Sequence, residues 1–332
     1  MLNYAIIGCG AIGSRHAMHA AATGRLVAVC DIVEEKARKV AEEYAVRSYT
    51  QAEHLLEMEK ELDVVAVCTP NGLHAYHTIL GSRAGLHVIC EKPMALRSED
   101  CRQMIREAEK AGKELFVVKQ NRFNPPVMAV KKLLEDGRLG RIYSVQMNGA
   151  WHRDAAYYKD SWRGTPDMDG GILYTQFSHF IDLLYWLIGD VKEVSAYRDN
   201  FAHRELAGFE DAVVACIRFD NQAIGSLHFT TNSYQQNIEG SILIIAENGT
   251  VKVGGQYLNT LEIARIKDPF LADIPSGNKA NEYGRYQGSM SNHDKMYEHV
   301  RDVITRGHSN GFSGYEGLKT VEIIEKIHKA AS

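Results

Sequence analysis

The segment Gly8-Cys9-Gly10-Ala11-Ile12-Gly13 lies between an apolar run, Tyr4-Ala5-Ile6-Ile7, and a helix-like stretch from Ser14 to Ala22. A strand, a glycine turn and a helix in that order form a cradle for a pyrophosphate. Gly8 permits the tight turn. Gly10 has no Cβ, so backbone can approach the phosphates, and Gly13 lets the helix pack close to the strand. The helix N-terminus offers unpaired N–H groups and a partial positive charge. A second apolar run, Leu26-Val27-Ala28-Val29-Cys30, ends at Asp31, 21 residues after Gly10. A carboxylate at that point receives the adenosine ribose hydroxyls and repels a 2′-phosphate. No cation follows it directly, since Ile32 and Val33 come next. The chemistry indicated is binding of NAD rather than NADP. Asp31 could equally cap the helix-like segment Glu34–Tyr44, and the two roles are compatible.

Two further side chains could move a proton. Lys92 follows the apolar run His87–Cys90, at the edge where a nicotinamide is expected. A cation there loses hydration and feels the charge of the oxidised ring, so its pKa falls. Such an amine can accept or return an alcohol proton near neutral pH. Taken without its surroundings, a lysine after a strand is a surface residue. His179 lies in the apolar segment Ile172–Ile188, which reads as one helix. A lone histidine in such a helix is by itself a packed core residue. Thr175 stands one helical turn earlier, on the same face. Its hydroxyl cannot titrate but can bind substrate.

The segment from Trp151 to Gly164 holds two of the chain's three tryptophans and three strong cations, Arg153, Lys159 and Arg163. Aromatic faces stack on sugars or bases, and guanidinium groups hold carboxylate or phosphate in bidentate fashion. Arg122 adds a cation nearby in the reading. The segment reads either as a surface loop packed by its aromatics or as a pocket for an acidic sugar or sugar nucleotide.

The elements that must position these groups follow an alternation. Apolar runs Tyr4–Ile7, Leu26–Cys30, Asp63–Cys68, His87–Cys90 and Glu114–Val118 are separated by helix-like stretches. This predicts an α/β fold with a doubly wound parallel Rossmann sheet over residues 1–120. Ligands of such sheets sit beyond the strand C-termini. There the chain places Thr69-Pro70-Asn71 with His74, then Glu91-Lys92-Pro93, then Gln120-Asn121-Arg122. Residues 121–332 read as a second, α+β domain. It has a helix over Pro126–Asp136, a strand over Ile142–Ala150, and strands over Val191–Tyr197, Asp211–Phe219, Ala223–Thr231, Gln236–Ile245 and Gly249–Val253. These predict a mostly antiparallel meander. Met290–Arg306 and Tyr315–Ala330 read as closing helices, and 267–288 as a long loop.

Bulk properties bound the function. The chain has 332 residues, 45% hydrophobic and 24% charged, with a net charge of −4. This is ordinary for a globular protein and gives no reason to expect nucleic acid or an anionic membrane as partner. No apolar run approaches the ~18 residues that span a bilayer. Met1–Ile7 lacks the flanks of a signal peptide, and the expected location is cytoplasmic. The six cysteines show no C-x-x-C spacing, so reduced thiols and no metal site are expected.

The glycine turn, Thr69-Pro70-Asn71, Glu91-Lys92-Pro93, and Gly170-Gly171 followed by His179 resemble the glucose–fructose oxidoreductase/inositol dehydrogenase (Gfo/Idh/MocA) family over essentially the whole chain. The resemblance implies a Rossmann domain and a second domain whose large, mostly antiparallel sheet forms a homodimer or homotetramer interface. It allows the C-terminal helix to return to the first domain. It implies that Lys92 and His179 are catalytic, that Lys92 also contacts the nicotinamide region, and that Pro93 follows a cis peptide. The six turn residues, Asp31, Thr69, Pro70, Asn71, His74, Glu91, Lys92, Gln120, Trp162 and Arg163 would bind cofactor. Lys92, Asn121, Arg122, Arg153, Tyr157, Lys159, Arg163, Thr175, Gln176 and His179 would bind substrate. Many members carry D-x-x-x-H where this chain has Thr175 and His179. The chain looks most like the branch that oxidises UDP-N-acetylglucosaminuronic acid at C3 in surface-polysaccharide synthesis, some members of which reoxidise NADH with 2-oxoglutarate. The alternatives are a dehydrogenase of a free sugar or inositol, an NAD-dependent lyase or glycosidase, and a non-catalytic NAD-binding sensor.

Overall fold

The computed structural model describes every residue except 160, 268–273, 276, 283–286 and 332. The chain divides into two compact units, Met1–Lys119 with His293–Val321, and Gln120–Asn292 with Glu322–Ser332. A late segment of the chain is thus grouped with the first unit.

The first unit is built on strands β1 (Asn3–Ile7), β2 (Arg25–Cys30), β3 (Arg47–Tyr49), β4 (Val64–Val67), β5 (His87–Cys90) and β6 (Leu115–Val117). They form one parallel sheet in the order β3-β2-β1-β4-β5-β6. The near-continuous apolar runs are buried on both faces, because helices cover both sides of a parallel sheet. These helices are α1 (Ala11–Thr23), α2 (Glu34–Tyr44), α3 (Ala52–Met58), α4 (His74–Arg83) and α5 (Ser98–Ala111). The strand order reverses between β1 and β4, which opens a crevice at their C-terminal ends. β3 escaped the sequence reading because it is three residues of polar or aromatic type on a sheet edge.

The second unit begins with a 3₁₀ turn, Gln120–Phe123, and α6 (Pro125–Glu135). Strand β7 (Ile142–Ala150) leads to two short helices, α7 (Ala155–Tyr158) and α8 (Ile172–Thr175), and then to α9 (Ser178–Ile188). Strands β8 (Val191–Asp199), β9 (Ala212–Phe219), β10 (Ile224–Thr230), β11 (Glu239–Ala246), β12 (Gly249–Gly254) and β13 (Thr260–Ile266) follow. The sheet order is β13-β12-β11-β7-β10-β9-β8. It is two antiparallel meanders joined by β7, which runs parallel to β10 and antiparallel to β11. The inward face closes on aromatics: Phe177 stacks on Phe229 at 4.7 Å, and Trp151 lies 5.3 Å from Phe177. Trp151 is thereby a core residue.

Two expectations change here. Residues 172–188 are not one helix, because Phe177 leaves helical geometry (φ −106, ψ 4) between α8 and α9. Thr175 and His179 therefore do not share a helix face. Within 267–288, Ala280–Glu282 (β14) pairs with Gln287–Met290 (β15); 268–273, 276 and 283–286 lie outside the described residues. The last helices are α10 (His293–Arg306) and α11 (Gly314–Ala330). α10 packs on α1 in the first unit through Tyr297, whose ring lies 5.5 Å from Tyr4 and 5.6 Å from His16. Among the described residues no helix is long and apolar enough to cross a membrane.

Candidate active site

The crevice at the ends of β1 and β4 has the form a dinucleotide requires. Gly8 adopts φ +98, and a Cβ there would lie 2.5 Å from the Cys68 carbonyl oxygen. A Cβ on Gly13 would collide with the Gly8 carbonyl, so the helix can approach the strand only with glycine at that position. A Cβ on Gly10 would meet nothing within 4 Å. The space beside Gly10 is open, and the first N–H groups of α1 face the end of the helix, where they lack intrahelical acceptors. Asp31 sits at the end of β2. Its Oδ2 accepts the Cys9 N–H at 2.8 Å and its Oδ1 the Val33 N–H at 2.9 Å. The carboxylate thus ties the glycine turn to the next strand. It does not cap α2, whose N-cap is Val33. These residues fit a bound NAD. Cys9, by contrast, is buried, and burial raises its thiol to about 12.

The loops after β4 and β5 are joined. His74 is buried, with Nδ1 2.6 Å from the Pro93 carbonyl and Nε2 2.9 Å from that of Thr69. Burial lowers its pKa against the pull of those carbonyls. Both ring nitrogens face protein, so His74 positions the Thr69-Pro70-Asn71 and Glu91-Lys92-Pro93 loops. The Lys92–Pro93 bond is cis. Glu91 is buried and accepts the Lys92 N–H at 3.0 Å, while Lys92 itself is half-buried. Burial would raise the Glu91 carboxyl, but hydrogen bonds from His16 and His293 outweigh it and hold it well below the usual range.

In the second unit the Gln120 side-chain amide donates to His179 Nε2 at 3.3 Å and to Ser289 Oγ at 3.1 Å. His179 is 5% exposed. Among the described residues, Gln120 Oε1, both amide atoms of Asn121, Gln176 Oε1 and Ser178 Oγ are buried without a hydrogen-bond partner. Folded proteins satisfy nearly all such atoms. A polar ligand would satisfy such atoms where it could reach them. Gln176 also donates to the Tyr157 hydroxyl at 3.0 Å, and Arg153 and Arg163 lie over the Tyr157 ring at 5.2 and 4.8 Å. Trp162 carries Arg163 on its face at 5.1 Å, and Lys159 is exposed. Asp160, in the same segment, lies outside the described residues.

Thr175, at the place of the aspartate in D-x-x-x-H, meets a carboxylate from elsewhere in the chain. The Thr175 hydroxyl donates to Asp169, six residues upstream. Asp169 is buried and also accepts the Gly164 N–H at 2.8 Å. Burial pushes its pKa up to about 6, against the hydrogen bonds from Thr175 and Gly164. The burial of Asp169 is not visible in a linear pattern.

Arg122 corrects an expectation. It makes a buried bidentate pair with Asp182, Nε to Oδ2 at 2.8 Å and the terminal amine to Oδ1 at 2.7 Å, and its guanidinium lies 5.1 Å from the Trp186 ring. Both partners of that pair are nearly inaccessible. The cation is committed to α9 rather than offered to a substrate anion. Arg153 is also buried, donating to the His152 carbonyl and to Asn237.

A doubly wound sheet with this glycine turn, an acidic residue ending β2 and a lysine loop after β5 defines an oxidoreductase with an NAD-binding Rossmann domain. The chain belongs to the GFO/IDH/MocA family: residues 2–119 match its oxidoreductase NAD-binding Rossmann model and residues 127–252 its C-terminal domain model. It is an NAD-dependent oxidoreductase. A solved structure of the WlbA dehydrogenase from Bordetella pertussis, in complex with NADH and UDP-GlcNAcA, superposes with a TM-score of 0.89 at 34% identity, covering 99% of this chain and 96% of that one. The D-glucoside 3-dehydrogenase of Escherichia coli K12 is 30% identical over 74% of each chain. The 1-carboxy-3-chloro-3,4-dihydroxycyclohexa-1,5-diene dehydrogenase of Comamonas testosteroni is 34% identical over 54% of this chain, and the match spans 45% of that relative.

Proposed function

We propose that this protein oxidises a secondary hydroxyl of a nucleotide sugar acid, with C3 of UDP-N-acetylglucosaminuronic acid as the substrate position. The observation that carries the reading is the whole-length likeness to an enzyme bound to NADH and UDP-GlcNAcA. The buried polar atoms of Gln120, Asn121, Gln176 and Ser178 that lack a partner among the described residues support it, because a polyhydroxylated ligand would satisfy such atoms.

Bound NAD⁺ supplies the hydride acceptor. The chain's own residues orient the sugar and move the proton. The Lys92 amine or the His179 imidazole takes the hydroxyl proton, and the Gln120 amide, 3.3 Å from His179 Nε2, orients the ring. Thr175 and Gln176 bind sugar hydroxyls or the carboxylate. Arg163 and Lys159 bring positive charge to the acidic groups. Gly8, Cys9, Gly10, Ala11, Ile12 and Gly13 receive the pyrophosphate, Asp31 the ribose, and Thr69, Pro70, Asn71, Trp162 and the Glu91-Lys92 loop the remainder of the cofactor. The place of action is polysaccharide biosynthesis, and the working form is a homo-oligomer.

The test is incubation with NAD⁺ and UDP-N-acetylglucosaminuronic acid, following reduced-nicotinamide absorbance and the mass of the sugar. NADH formation with loss of two hydrogens from the UDP-sugar is expected. Preferential turnover of inositol or a free sugar, or elimination without net NADH, would replace this substrate. Adding 2-oxoglutarate tests whether bound NADH is recycled.

A further inference from the structure

One buried carboxylate in the first unit gathers donors from three places in the chain. Glu91 Oε1 lies 2.9 Å from His16 Nε2 on α1 and 3.1 Å from His293 Nε2 at the start of α10, which are 75 and 202 residues away in sequence. Its Oε2 accepts the Lys92 backbone N–H. His16 and His293 have no accessible surface, and their rings meet edge to face at 5.2 Å. His16 Nδ1 lies 2.9 Å from the Tyr297 hydroxyl, whereas His293 Nδ1 has no hydrogen-bond partner among the described residues. An ionised carboxylate only accepts. Three N–H groups converging on it are satisfied if both imidazoles carry their proton on Nε2, with Tyr297 donating to His16 Nδ1. A buried carboxylate that accepts from three N–H groups on separate parts of the chain ties those parts into one geometry.

We propose that His16 and His293 are positioning residues for Lys92, acting through the Glu91 carboxylate that grips the Lys92 main chain. The inference rests on the reading of Lys92 as a proton-transfer group. Proton transfer requires the amine within hydrogen-bond reach of the hydroxyl, and a displacement of the order of 1 Å costs on the order of 100-fold in rate. His74, on the far side of the same loop, fixes the Pro93 carbonyl. The loop is thus held from both ends by histidines, each with a nitrogen on a fixed acceptor.

The same three side chains have ligand atoms within 4.8 Å of one another and could in principle hold a metal ion. The separations of 2.9 and 3.1 Å, with a third N–H on the carboxylate, are those of hydrogen bonds. The experiment separates the two. His293→Gln keeps an N–H donor near the Nε2 position and His293→Leu removes it; Glu91→Gln removes the charge. With NAD and the UDP-sugar acid, His293→Leu is expected to lower kcat on the order of 100-fold with KM changed little, and His293→Gln to recover most of it. Glu91→Gln removes a negative charge next to Lys92 and is expected to move the ascending limb of the kcat–pH profile to lower pH. NAD binding and the melting temperature of the holoenzyme are read in parallel, so that misfolding is recognised. Equal kcat in His293→Gln and His293→Leu, an unmoved pH limb, or stoichiometric zinc in the purified protein would overturn the inference. Lys92→Ala run beside them guards the premise: full activity in that variant overturns the role of Lys92 itself, whereas an inactive Lys92→Ala with unaffected His293→Leu overturns the positioning role alone.

Discussion

At the scale of single residues, three side chains make separable predictions. Lys92→Ala should leave NAD binding intact, measured by quenching of protein fluorescence, and cut turnover by a factor of ~100 or more, the usual contribution of a positioned acid or base. Asp169 predicts a pH dependence. Its folded pKa of about 6 lies above the ordinary aspartate value, and burial is the cause. A carboxyl with a raised folded pKa binds its proton more tightly when folded. Its contribution to stability is complete below about pH 4 and is lost as pH rises to about 6, an amount of about 3 kcal/mol. Asp169→Asn removes this titration. Urea unfolding of the variant and the parent at pH 4 and pH 7 should therefore show the variant gaining relative stability at the higher pH; a pH-independent difference would remove the raised pKa. Arg122 belongs to folding rather than to substrate. Arg122→Ala removes the cation that pairs with the buried Asp182 and should cost about 3–5 kcal/mol, while the double variant Arg122→Met/Asp182→Leu should regain most of it. Urea midpoints of the two proteins decide the matter.

At the scale of elements, the glycine turn divides into positions that serve packing and a position that serves the ligand. Gly13→Ala places a methyl against the Gly8 carbonyl oxygen, and overpacking against backbone should cost about 1–3 kcal/mol. Gly10→Ala meets open space, and Gly10 has extended backbone angles that alanine adopts. Its stability should change by no more than about 0.5 kcal/mol. Its affinity for NAD should fall ~10-fold or more, equivalent to about 1.4 kcal/mol. Calorimetric titration and thermal melts of the two variants, made side by side, should show opposite patterns. The break at Phe177 is the other decision made at this scale. It lets Phe177 stack inward on Phe229, and it frees Thr175 to meet Asp169 instead of lining up above His179.

At the scale of the whole molecule, the first compact unit is not a contiguous piece of sequence. α10 fills the surface of α1 with Tyr297, which is wholly buried, and brings His293 to Glu91. Ser313 bridges to β6 at Phe116, and Phe312 accepts the Val117 N–H at 2.7 Å. A fragment ending at Lys119 would expose the apolar surface that these residues cover. Circular dichroism and urea unfolding of residues 1–119 should show no cooperative transition, although the family's Rossmann model spans nearly the same residues. A folded fragment would show that α10 is dispensable.

The sequence determined what local chemistry determines. Strands of the parallel sheet are legible because burial on both faces demands uninterrupted apolar runs, and the NAD turn because only glycine tolerates φ +98 at residue 8 and the backbone approach at residue 13. The Lys92 loop was legible from the residues flanking it. β3 and the β14–β15 ladder were not, since short polar strands have no period to read. Tertiary structure alone decided which charges are spent and which remain. It pairs Arg122 with Asp182, gives Thr175 the carboxylate of Asp169, and gathers His16 and His293 on Glu91. Those outcomes depend on contacts between residues far apart in the chain and on the cost of burying a charge without a partner, and neither can be read from neighbours in sequence.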